Sequence, residues 1–162
     1  AITSIIGKRP IMEAAQKTFI SSTFWTERIG PTAGLKTLEI MEREKSWEDI
    51  TMKGNQLRKL WIDIAKTNNL DIEIYGLKAL SGFSFKKNNR EYKTLIVQEM
   101  LNKGFLASTN CYLSMSHNSE VFESYGNALD EVFKLIAKCE NGYDINELIK
   151  YPVCHLGFGR LN

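Results

Sequence analysis

Cysteine is scarce: Cys111, Cys139 and Cys154 are the only three in 162 residues, far apart and in no Cys-x-x-Cys spacing. An odd, scattered set excludes a disulfide framework and a zinc site, and reads as the reduced thiols of a cytoplasmic chain. Net charge is also small, at +2. No arginine-rich stripe with interleaved aromatics accompanies it, so no nucleic-acid partner is expected. Apolar runs stay well short of the ~20 residues of a bilayer span, and the N-terminal residues lack the layout of a secretory signal, so no membrane partner is expected either. The sequence also has no Gly-rich phosphate loop, internal repeat or low-complexity linker.

What is present, 43% hydrophobic and 25% charged residues, has the balance of an ordinary globular domain, or of one domain with a tail, long enough to bury a core. The chain opens Ala1-Ile2-Thr3-Ser4-Ile5-Ile6-Gly7-Lys8 without a methionine, already in a β-rich segment. This predicts a piece cut from a larger polypeptide.

The stretch from Ser21 to Leu35 concentrates chemistry. It contains Ser21, Ser22, Thr23 and Thr26, the aromatic pair Phe24-Trp25, the pair Glu27-Arg28, and Gly30-Pro31 leading into an apolar helix. Hydroxyls and backbone N–H groups before a helix can receive an anion, assisted by the helix dipole. The same residues also serve as ordinary helix caps.

Periodicity predicts the remaining elements. Ile2–Ile6 reads as a short buried strand and Pro10–Lys17 as a helix, with a second helix beginning near Pro31. Ser46 and Asp49 resemble a capping box before a helix whose stripe runs Trp47, Ile50, Gly54, Leu57, Trp61 and Ile64. Asp71–Tyr75 and Leu80–Phe85 alternate as strands. A helix with Tyr92, Leu95, Ile96 and Met100 inward ends at Gly104. Phe105–Met115 reads as a third strand region, before a long helix with Phe122, Tyr125, Leu129, Phe133 and Ile136 inward. Asp144–Lys150 reads as a short helix. The fold class is therefore α/β: a mixed or antiparallel sheet with helices on one face, in two layers.

Isolated reactive residues give less. His117, at a strand-to-helix junction, can cap, pair or transfer protons. Cys154-His155 places a nucleophile beside a base, but sequence neighbours rarely face each other. Lys8, Arg9 and Lys86-Lys87 are small charge clusters suited to solvent.

Three stretches, Ile2–Lys8, Ser22-Thr23 and Thr32-Ala33-Gly34-Leu35-Lys36-Thr37-Leu38-Glu39, together resemble class III pyridoxal-phosphate-dependent aminotransferases, and among them the glutamate-1-semialdehyde 2,1-aminomutase group. Gly104-Phe105-Leu106-Ala107 and Ser114-Met115-Ser116-His117-Asn118 fit the family's C-terminal strands and last helix. The ending from Val153 to Asn162 is similar to bacterial relatives associated with surface-sugar biosynthesis.

The resemblance implies the C-terminal part of a fold-type-I enzyme. Residues 1–45 would be the end of the large domain and an inter-domain helix, 46–142 the small domain, and 143–162 a C-terminal helix and tail. The Schiff-base lysine is expected upstream, so Lys8 is not that lysine and no catalytic residue is assigned in this chain. The cofactor implied is pyridoxal 5'-phosphate, in a cytoplasmic homodimer whose site is shared between subunits and takes a small amino acid or amino-sugar-type substrate. Thr23 matches the family threonine that reaches the partner's cofactor phosphate, and Ser22 is a second donor.

Two departures stand out. Thr26-Glu27-Arg28 replaces the family's Gly-Asn-Pro. The aminomutase's late-strand glutamate has no match around Asn110-Cys111-Tyr112, which favours ordinary transamination over the mutase reaction. The other reading is a non-catalytic protein-interaction module that uses its helical face.

Overall fold

The structure, a computed structural model, describes residues 3–20, 23, 26–155 and 157. It divides into two compact units, Ala1–Ser46 and Trp47–Asn162.

The first unit contains α1 (Arg9–Ala15) and α2 (Ile29–Glu44). Pro10 stands in the first turn of α1, where its missing N–H costs nothing. Lys45, at φ 47°, ends α2. Neither helix buries a residue, and Ile5, Ile6 and Phe19 are each more than 85% exposed. Apolar surface left this open does not offset the entropy of ordering the chain. Of the strand expected over Ile2–Ile6, Ile2 lies outside the described residues and the rest forms no strand: residues 3–8 have no regular structure. A strand needs a ladder partner, and a short apolar run does not by itself supply one.

The second unit holds α3 (Ser46–Thr67, from Trp47 onward), β1 (Ile72–Leu77), β2 (Leu80–Phe85), α4 (Asn89–Asn102), β3 (Asn110–Tyr112) and α5 (Ser119–Glu140). The sheet is antiparallel in the order β1-β2-β3. Its registers place Phe83 opposite Ile74 and Phe85 opposite Ile72. These side chains face a helical layer that supplies Trp61, Leu95, Met100, Leu129 and Phe133, all fully buried. Phe83 sits among three aromatic edges: Trp61 at 4.8 Å, Phe133 at 5.8 Å and Phe85 at 5.9 Å between centroids. Edge-to-face pairs at these distances add to the burial of large apolar area.

Helix α3 is locked to the β1–β2 hairpin by two residues one turn apart. Gly54 allows the Lys78 carbonyl so close that a Cβ would lie 2.1 Å from its oxygen. Arg58 donates to Gly76 O at 2.7 Å and to the buried Ser81 Oγ at 2.8 Å. On α4, Arg90, Thr94 and Gln98 recur every four residues and clasp the tail backbone. Gln98 bonds Leu148 O and Lys150 N, Thr94 accepts from Cys154 N, and Arg90 donates to Cys154 O.

Three further expectations change. Only Asn110–Tyr112 of the predicted third strand region forms a strand, against Leu80–Gly82 of β2, with one flanking backbone bond at each end, Phe83 N to Thr109 O and Leu113 N to Ala79 O, both 2.9 Å. The helix expected over Asp144–Lys150 is a single 3₁₀ turn, Ile145–Glu147, capped by Asp144. Ser46 and Asp49 form no capping box: Asp49 pairs instead with Lys53 at 2.7 Å, one turn on. Asn118 does cap α5, accepting from Val121 N at 3.0 Å.

Candidate functional site

The hydroxyl-rich stretch ends at α2, and its helix start is occupied from within. Glu27 Oε1 accepts from Ile29 N at 2.5 Å and Oε2 from Gly30 N at 2.9 Å. A carboxylate there satisfies two amides that the first turn leaves without helical partners and complements the dipole. Thr23 lies exposed in a turn just upstream. Ser22 lies outside the described residues. An open groove of about 1060 Å³ follows the same helix start, lined by Thr3, Ser4, Glu27, Gly30, Gly34 and Leu38 among others. The sequence marks Glu27 only as one of a Glu-Arg pair and as part of the departure from the family's Gly-Asn-Pro, with no capping role. An acidic side chain two residues before a helix is the signal that would have found it.

A second concave site lies in the other unit, between β3, α3 and the start of α5. It has a volume of about 360 Å³, and its lining includes Leu57, Phe105, Asn110, His117, Phe122 and Tyr125. His117 Nδ1 accepts from Ser114 N at 3.0 Å and lies 2.9 Å from Ser114 Oγ. Tyr125 Oη accepts from Trp61 Nε1 at 2.9 Å, and burial pushes the Tyr125 phenol far above its ordinary range. Burial likewise raises the Cys111 thiol. The site therefore favours neutral groups.

The other candidates separate. The Cys154 thiol points to Arg90 O at 3.5 Å, while His155 is exposed, so the adjacent pair forms no nucleophile–base couple. Lys8 is exposed beside α1. Lys86 pairs with Asp71 on the surface, and that hydrogen bond and charge raise its pKa. Among the described residues no group of His, Cys, Asp and Glu is arranged to hold a metal ion. Among them, too, no helix is long and apolar enough to cross a membrane.

No family model matches the chain. Over 54% of its length it is 29% identical to the 3-aminobutyryl-CoA aminotransferase of Cloacimonas acidaminovorans, covering 22% of that protein. Over 82% of its length it is 26% identical to a glutamate-1-semialdehyde 2,1-aminomutase of Methanococcus maripaludis, covering 35% of it. The fold matches that of the Sphingopyxis sp. FumI protein, solved in its PLP internal aldimine form. The TM-score is 0.75 at 18% identity, over 89% of this chain and 36% of that one. The chain is thus aminotransferase-like in sequence and shares its fold with part of a PLP-bound protein, while spanning only about a third or less of these relatives.

Proposed function

We propose that the chain is the C-terminal portion of a class III pyridoxal-phosphate-dependent aminotransferase acting on a small amino substrate. One observation carries this reading: most of the chain aligns with about a third of an aminomutase and of a PLP-bound protein. The open apolar surface of residues 3–20 and α2 supports it, since such a segment needs more chain to cover it. Ordinary transamination is favoured over the mutase reaction because β3 presents Asn110 and Tyr112, and no carboxylate, on its outer side. The three free cysteines support a cytoplasmic protein, and the family pattern supports a homodimer.

When bound, pyridoxal phosphate supplies the electron sink for the reaction. The role of this chain is narrower. Glu27 already fills the first amides of α2, so a phosphate contact at this loop falls to the exposed Thr23 hydroxyl, with Ser22 beside it in sequence. The covalent lysine belongs to the missing two thirds, and the 162-residue chain alone is inactive.

In the longer polypeptide, Thr23→Val should weaken cofactor binding about tenfold, the effect of losing one hydrogen bond to a charged group. Unchanged affinity removes Thr23 from the site. For the chain alone, a cofactor absorbance band abolished by substituting one of its own lysines would overturn the assignment of inactivity.

A further inference from the structure

We propose that the cavity beside β3 is a binding site for an uncharged, largely apolar group that bears a hydrogen-bond acceptor, such as a short acyl or aryl ketone. The inference does not rest on the cofactor reading; it follows from the lining.

The volume of about 360 Å³ suits a small molecule or one arm of a larger one. Leu57, Phe105, Phe122 and Tyr125 give apolar walls, and no Asp, Glu, Lys or Arg is among the lining residues. A charged ligand would lose its water there without gaining a counter-charge. The sulfur nearby, Cys111, is held as the neutral thiol by its burial.

One polar side chain of the lining is set as a donor. The Ser114 N–H points at His117 Nδ1, so the neutral imidazole has its proton on Nε2 and is a donor from that edge. His117 lines the cavity, while the Asn110 amide is turned to Tyr75 on the outer side of the sheet. An apolar body with an oxygen acceptor complements the imidazole. The same body without the oxygen leaves that donor desolvated.

The test is titration of the whole 162-residue chain with acetophenone, followed in proton–nitrogen correlation spectra. α-Methylstyrene serves as the isostere without an acceptor, and benzoate as the charged analogue. Saturable shifts confined to residues 105–112 and 117–125 are expected, with affinity about tenfold weaker for α-methylstyrene and no binding of benzoate. His117→Phe should bring acetophenone to the level of α-methylstyrene. Val121→Trp, on the exposed rim of the cavity, should abolish binding of both while the remaining spectrum is unchanged. Absence of shifts in these segments at saturating acetophenone, or equal affinity for acetophenone and α-methylstyrene, overturns the proposal. Failure of the cofactor tests on Thr23 would leave these results untouched, so the two readings fail separately.

Discussion

Tyr75 on β1 and Asn110 on β3 are joined by a hydrogen bond of 2.6 Å across Gly82, the β2 residue between them. The phenol ring lies so close over the glycine that a Cβ there would come within 2.5 Å of Tyr75 ring carbons and 2.4 Å of Asn110 Oδ1. Gly82→Ala should therefore swing the ring off the sheet and lower stability by about 1 kcal/mol, the worth of the lost hydrogen bond. Urea denaturation in the wild-type and Tyr75→Ala backgrounds checks this. An equal cost in both would show that the ring is not what the new methyl meets.

Two helical glycines should respond oppositely to alanine. At Gly54 the neighbour is the Lys78 backbone carbonyl, in a hairpin tied down by Arg58. Gly54→Ala must push that backbone away and should destabilise by ~2 kcal/mol. At Gly126 the nearest atom is Leu60 Cδ1 at 3.1 Å, which can turn aside. There the helix gains up to ~1 kcal/mol from alanine, so Gly126→Ala should be neutral or stabilising. Thermal unfolding of the two variants gives the comparison, and the same sign for both would contradict it.

Glu27→Ala removes the carboxylate from the α2 start. Loss of a cap costs about 1 kcal/mol locally, and the first turn should fray. Hydrogen exchange at the Ile29 and Gly30 amides should quicken, while amides at the α2 C-terminal end keep their rates. Unaltered exchange at Ile29 would mean that the two short contacts do not hold the helix.

Tyr92 sets an alkaline limit. It is 1% exposed, and burial, reinforced by its 2.6 Å bond to Glu140 and opposed by Asn88, pushes the phenol from 10.0 up to about 12. A raised native pKa gives stability that is fully present below pH 10 and is lost as the pH rises toward 12. Tyr92→Phe should be less stable at neutral pH, through the unpaired Glu140, but should show a flatter decline in that window. Parallel declines for both proteins would put the alkaline sensitivity elsewhere.

Much of the second unit was legible because its cues are local. Tyr92, Leu95, Ile96 and Met100 already mark α4, as Leu129, Phe133 and Ile136 mark α5. Gly104 and Gly142 stand just past helix ends with positive φ, as a chain leaving a helix requires. The strand expected at Ile2–Ile6 is absent over its described residues, and β3 shrank to Asn110–Tyr112, paired with Leu80–Gly82. The capping pair at Ser46 gave way to Asp49–Lys53. The resemblance to aminotransferases was also present in linear sequence, and the comparisons agree with it.

The sequence by itself determined the helix faces, the β1–β2 alternation and the family likeness, since each depends on residues a few positions apart or on whole-chain similarity. Tertiary structure alone decided that Glu27 caps α2, that Gly54 meets Lys78, and that His117 lines a cavity as a donor. The physical reason is separation: Tyr75 and Asn110 lie 35 residues apart in sequence, and only the order β1-β2-β3 brings the phenol over Gly82 to the amide it orients.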